Sequence, residues 1–208
     1  MADTKDKLVD ATLRVLAREG LTGTSARVIA AAAGVNQALV FYHFGSVDQL
    51  LAEACRQATL TRIAHYRERF DSVRNLSQLL AVGRQLHETE RAEGNVAVLA
   101  QLLAGAQTDA KLAGPVAGAL GLWIGEIERV IDRVMSDLPL GDLFDRAGLA
   151  RLVASAFVGL ELYEGVDEAG AATAIDALDQ LSVLTQILDD LGPVARRALK
   201  AKLRKAAK

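Results

Sequence analysis

Gln37 can donate and accept a hydrogen bond at once through its side-chain amide, the pairing that adenine presents at N6 and N7 in a major groove. Ala38 and Phe41, one and four residues further on, offer the apolar contact that a thymine methyl accepts. Arg27 can engage guanine or a phosphate, Tyr42 and His43 can donate to phosphate oxygens, and Thr24 or Ser25 can do the same at a helix N-terminus. Asn36 stands directly before Gln37 and suits a helix cap. This is a chemistry of hydrogen bonds and methyl contacts, suited to the surface of double-stranded DNA and involving no bond cleavage.

Such groups need short, rigid elements to present them. The spacing predicts a first helix in which Leu8, Ala11, Thr12, Val15 and Leu16 share a face and Gly20 is the stop. A second helix starts at a Ser25 cap with Val28, Ile29 and Ala32 as its apolar edge, and Gly34 gives the backbone freedom a tight turn requires. Val35 packs the turn. In the third helix, capped by Asn36, Leu39 and Val40 point inward while Gln37, Ala38, Phe41 and Tyr42 lie outside. Phe41 and Tyr42 also allow packing between helices, and Phe44 fits that role better. Three helices in about fifty residues, with a glycine turn between the last two, make a helix-turn-helix.

These residues resemble the TetR family of bacterial transcriptional regulators. The resemblance rests on the helix ending in Gly20, Thr24-Ser25, Ile29-Ala30, Ala33-Gly34-Val35, and Phe41-Tyr42-His43-Phe44 followed by Leu50-Leu51. It covers roughly residues 5–51. Val47 departs from it, standing where many members carry a lysine that meets a phosphate. The resemblance implies an all-α fold: a helix-turn-helix domain at 1–45 and a larger helical effector-binding and dimerisation domain at 46–208. It further implies a homodimer built from helices near 145–165 and 170–191, an ordinary intrachain hairpin being the alternative. A small-molecule effector is implied as well, whose binding changes the separation of two DNA readers. Tyr66, His87, Gln101, Trp123, Phe157 and Tyr163 are candidates to line its pocket, since such sites are apolar with few polar groups.

Charge is segmented along the chain. The formal net charge is −2, yet residues 1–50 are neutral, with five basic and five acidic residues. Residues 51–192 carry a net of −9, and residues 193–208 a net of +7. An acidic body cannot lie along phosphates, so DNA contact is expected from the first fifty residues, presented twice in a dimer. Arg196, Arg197, Lys200, Lys202, Arg204, Lys205 and Lys208 form a basic tail, read as a solvated helix with a frayed end.

A hydrophobic fraction of 51% with three prolines favours long packed helices, and 4% aromatic residues means aliphatic cores. Further helices are expected at 46–70, 75–90, 95–106 (an interior one), and from Pro115 to an end at Pro139 and Gly141. The 145–165 helix is lined by Leu149, Leu152, Val153, Ala156, Phe157 and Leu160, and the next by Ile175, Leu178, Leu181, Leu184, Ile187 and Leu188. No stretch approaches the ~20 apolar residues of a membrane span and the N-terminus mixes charges, so a cytoplasmic location is expected. The single Cys55 reads as a buried small hydrophobe.

Three patterns that carry chemistry elsewhere are set aside. Gly118, Gly121 and Gly125 lack the preceding strand of a phosphate loop and suggest close helix packing or a kink. His87-Glu88 with Glu90 lacks a second histidine at metal spacing and reads as a solvated helix face, so no metal is expected. No nucleophile or paired-carboxylate arrangement stands out, and neither enzyme activity nor a cofactor is expected. The rival to a DNA-binding regulator is a helical small-molecule carrier or protein-interaction module without operator-specific binding.

Overall fold

The computed structural model describes residues 3–136 and 145–206. These residues form ten α-helices and no strand. By contacts the chain forms two compact units, Met1–Ala64 with Glu93–Leu122, and His65–Ala92 with Trp123–Lys208. The functional division expected at residue 45 is a separate matter and remains a proposal.

In the first unit, helix α1 (Thr4–Gly23) buries Leu8, Val9, Ala11, Thr12, Val15 and Leu16. The stop expected at Gly20 is a break in helical angles, with φ +69° there, after which one more turn leads to Gly23. The Thr24 hydroxyl closes that turn by donating to the Gly20 carbonyl at 2.8 Å. Helix α2 (Ala26–Ala33) begins where the Ser25 hydroxyl accepts from the Val28 N–H at 3.4 Å. Its buried face is Ala26, Ile29 and Ala30 rather than the expected Val28, Ile29 and Ala32. Ala32 is exposed because Ala26 and Ala30 are the positions that meet Leu8 and Ala11 in one cluster with Ile29, about one residue position round the helix from the predicted edge.

Gly34 ends α2 with φ +68°, and the Val35 N–H returns to the Ala30 carbonyl at 3.0 Å. This is the left-handed closure that favours glycine. A Cβ added at Gly34 meets nothing within 4 Å, so the cost of a side chain there is backbone strain alone. Gly34→Ala is expected to lose about 1–2 kcal/mol of stability, and Gly34→Asn less, in urea denaturation of the two variants beside the wild type.

Helix α3 (Ala38–Phe44) starts with the Ala38 N–H donating to Asn36 Oδ1 at 2.8 Å and buries Val40 completely. Leu39 and Phe44 pack partly buried on the same cluster, as does Val47. Helix α4 (Val47–Ser72) follows a Ser46 hydroxyl that accepts from the Gln49 N–H at 3.1 Å, and contributes Leu50, Leu51, Ala54 and Cys55 to the interior.

Helix α6 (Asn95–Thr108) is not the interior helix expected. Its described residues are half-buried or exposed, because only one stripe, Val98, Leu102 and Ala106, packs, against Leu16, Leu51, Cys55 and Leu112. Burial pushes the Cys55 thiol up to about 11. At pH 8 that leaves roughly one thiol in a thousand as the reactive thiolate. Alkylation of the folded protein should therefore be at least ~100-fold slower than in denaturant, followed by mass spectrometry; equal rates would place Cys55 at the surface.

The core of the second unit holds Tyr66, Phe70, Val73, Val82, Leu86, Val130, Ile131, Val134, Met135 and Ala150. These come from the end of α4, from α5 (Leu76–Ala92), from the latter part of α7 (Ala110–Ser136) and from α8 (Arg146–Glu164). Arg133 ties the end of α4 by donating from Nε to the Val73 carbonyl at 3.0 Å. On α8 the inward residues are Ala150, Ala154 and Glu161, with Leu149, Val153 and Phe157 packed beside them. Leu152 and Ala156, expected inside, face outward. The stripe turns because alanines let α8 sit close while a carboxyl, not a leucine, completes the inner row.

Helix α9 (Glu168–Asp189) packs on α5 and α8, and α10 (Pro193–Ala206) carries the tail. Arg197 and Lys202 are exposed there. The expected end at Pro139 and Gly141, the side chains of Leu181, Leu184 and Leu188, and those of Arg196, Lys200, Arg204, Lys205 and Lys208 lie outside what is described. Added Cβ atoms at Gly118, Gly121 and Gly125 meet nothing within 4 Å, so these glycines serve no close packing among the described residues.

Candidate nucleic-acid interface and effector region

Gln37, Ala38, Phe41 and Tyr42 are all exposed, and at spacings of one, four and five residues they share one side of the α3 segment. Phe41 is 49% and Tyr42 81% exposed, although Val40 between them and Leu39 is wholly buried. The helix therefore sends Leu39 and Val40 inward and Phe41 and Tyr42 out. The Tyr42 ring stands edge-on to His43 with centroids 4.9 Å apart, and His43 to Phe44 at 6.4 Å, so the outward tyrosine is braced from beneath. The Gln37 side chain makes no hydrogen bond among the described residues and keeps both halves of its amide available, while its backbone carbonyl accepts from the Val40 N–H at 3.1 Å. Asn36 spends its carbonyl on the Ala38 N–H and keeps its amide N–H groups.

Thr24 and Ser25 are placed differently. Thr24 directs its hydroxyl proton to the Gly20 carbonyl, whereas Ser25 accepts from Val28 and keeps a proton to donate. Arg27 is exposed beside an open cleft of about 610 Å³ that is also lined by Arg14, Arg18, Glu19, Val28 and Ala32. Arg14 anchors one wall, donating to the Ala32 carbonyl at 3.4 Å. Arg14 and Arg18 escaped the sequence reading. Their signal was a four-residue spacing along one side of α1.

Five of the six effector candidates, Tyr66, His87, Trp123, Phe157 and Tyr163, belong to the second unit, and the first four are packed in it. Tyr66 is 1% exposed, donates its hydroxyl to Glu90 at 2.9 Å, and has its ring 6.2 Å from Trp123. Phe157 packs on the same core and stands edge-on to His87 at 6.4 Å. Gln101 belongs to the first unit, near Gly20, with Oε1 buried and unpartnered. Tyr163 is exposed and donates to Asp167 at 2.8 Å, a bond that holds the turn between α8 and α9.

His87 does not lie on the solvated face expected of it: it is 5% exposed, as Glu90 is at 8%, while Glu88 alone points outward. Its Nδ1 lies 2.7 Å from Glu161 Oε1 and its Nε2 3.4 Å from Glu164 Oε2. Arg91 then pairs with Glu164 at 2.8 Å and with Glu168. Burial raises the Glu161 carboxyl above its ordinary range, and the hydrogen bond from His87 opposes that rise. These partners are 74 and more residues from His87 in sequence, which no helical spacing reveals.

Residues 8–54 match the family described as bacterial regulatory proteins, tetR family. Curated proteins give no match. Among solved structures, a transcriptional regulator from Rhodococcus sp. Rha1 is similar at 24% identity and TM-score 0.69, over 91% of this chain and 100% of that one. The fatty acid degradation regulator FadR from Bacillus halodurans is similar at 14% identity and TM-score 0.68, over 88% and 95%. The multidrug binding protein EbrR complexed with imidazole is similar at 21% identity and TM-score 0.62, over 87% and 96%. At these identities the structures speak for the fold. The exposed face on α3 lies within the matched residues 8–54, so this segment is a helix-turn-helix similar to that of the tetR family of bacterial regulatory proteins, a DNA-binding element on a helical body.

Proposed function

We propose that this chain is a ligand-responsive repressor that binds a palindromic operator as a homodimer in the cytoplasm. The observation that carries the reading is the outer side of α3, where Gln37, Ala38, Phe41 and Tyr42 are exposed in a helix whose other side packs through Val40, Leu39 and Phe44. Two-fold symmetric dimers read two half-sites one helical turn of DNA apart, which makes the operator palindromic. Arg27, Ser25, Asn36, Tyr42 and His43 hold phosphates, Gln37 reads a base edge, and Thr24 supports the turn behind them.

Dimerisation is assigned to α8 and α9, which expose Leu152, Leu162, Leu178, Val183 and Ile187. The effector is an apolar molecule with few polar groups, received near Tyr66, Trp123 and Phe157; the complexes of EbrR with imidazole and proflavin support a small ligand for this fold. Ligand and DNA oppose each other because each favours a different dimer shape; equal ligand affinity for both would shift nothing.

Selection of bound sequences from random duplex DNA, at roughly physiological salt, tests the reading. A recovered palindrome bound about 10³-fold more tightly than random DNA is the expected result. Weak, salt-sensitive binding to every sequence by a folded dimer would replace it with the carrier or interaction module.

A further inference from the structure

His87, Glu161 and Glu164 place one ring nitrogen and two carboxylate oxygens within 4.8 Å of one another, and their side chains are 6%, 1% and 9% exposed. Two carboxylates three residues apart on α8 share a side of that helix, and the histidine arrives from α5. Glu161 Oε1 is engaged by His87, but Oε2 is buried and accepts no hydrogen bond among the described residues. An orphaned carboxylate oxygen inside a protein is costly, and native structures rarely leave one without an occupant. Glu90, buried nearby and bonded to Tyr66, adds acidity to the same region, while Arg91 is directed to the Glu164 and Glu168 side.

We infer that His87, Glu161 and Glu164 form a binding site for a divalent transition-metal cation of the Zn²⁺ class. Imidazole nitrogen with carboxylate oxygen is the mixed donor set such ions take, and three protein ligands leave one position for water or a ligand atom. Donors around a four-coordinate zinc stand about 3.4 Å apart, given bonds of about 2.1 Å. The His87 Nε2 to Glu164 Oε2 distance of 3.4 Å already meets that, and the 4.8 Å limit closes through small side-chain rotations. Metal binding would satisfy Glu161 Oε2, and Arg91 would remain on the other Glu164 oxygen as the group that orients it. All three ligands belong to one compact unit, so the site needs neither DNA nor a second subunit. It stands whether or not an operator is found.

The test uses the full chain, treated with chelator and dialysed, in titrations with Co²⁺ followed by visible d–d absorption and with Zn²⁺ in competition with a chromophoric chelator. One ion per chain, a d–d band that Zn²⁺ abolishes, and a Zn²⁺-dependent rise in thermal midpoint are expected. Glu161→Gln and Glu164→Gln should each weaken binding by at least ~10-fold and remove the thermal rise, with unchanged helicity by circular dichroism. Both keep side-chain shape, and Glu164 lies at the edge of the cluster, so at least one variant stays folded. A folded wild type without d–d band or thermal shift, or variants that bind as it does, would overturn the site and leave a purely structural histidine–carboxylate pair.

Discussion

Gln37→Ala is expected to weaken binding to the selected operator by about 1–3 kcal/mol per half-site, roughly 5- to 150-fold, and to relax preference at a single base pair in each half. Binding to random DNA should stay as it was, because the amide would face a base edge and no phosphate. The variant should also fold normally: Gln37 is exposed and its side chain bonds to nothing among the described residues, while the backbone bond from the Val40 N–H survives the substitution. Arg14→Ala and Arg18→Ala, on the cleft beside Arg27, are the contrast. If these arginines meet phosphates, each lowers affinity for all sequences alike and reduces the dependence of log K on log salt by about one. Fluorescence anisotropy on operator and random duplexes at several salt concentrations separates the two signatures. An unchanged base preference in Gln37→Ala would remove this residue from the reading surface and leave Phe41 and Tyr42 as the groups to examine.

The contrast between those residues shows what the sequence can carry. Local features were legible because their causes are local: Ser25, Asn36 and Ser46 cap through hydroxyl or amide groups within three residues, and Gly34 takes the one backbone region that disfavours side chains. The inward row of α1 was legible for the same reason, since six aliphatic or hydroxyl residues at helical spacing admit one burial pattern. In alanine-rich helices the pattern failed. In α2, four successive alanines offer no size difference to mark a face, so the buried edge fell one position away from the expected one. In α8, apolar residues occur on several sides, and the buried row runs through Ala150, Ala154 and Glu161 instead of Leu152 and Ala156.

The candidate sites divide along the same line. The α3 surface lies within one short segment and could be read from spacing alone. The surroundings of His87 could not, because Glu161 and Glu164 come from another helix far along the chain. Read along α5, His87 has Glu88 and Glu90 for company; read in space, it has a buried carboxylate on each ring nitrogen. A buried acid on an otherwise apolar inner row, such as Glu161, was the one available hint, and it becomes a signal only when the helix's inner side is known.

Val183→Glu combined with Ile187→Glu should convert the proposed dimer to a monomer of 22.1 kDa and lower operator affinity by more than ~100-fold. Both residues are more than half exposed in the single chain, at 54% and 57%, and their four-residue spacing sets them on one side of α9. Two glutamates there cost the isolated chain little, since water solvates them. Facing a second copy, they would bury unpaired carboxylates from both subunits, and the association would fail. The loss at the operator then follows from geometry, because a monomer keeps every contact to its half-site and forfeits the second, linked binding event. Sedimentation and circular dichroism should show half the mass at unchanged helicity, and binding to a single half-site should match that of a wild-type subunit. A double variant that still sediments as a dimer would place the interface elsewhere, while a monomer that held the full operator as tightly would deny that two readers act together.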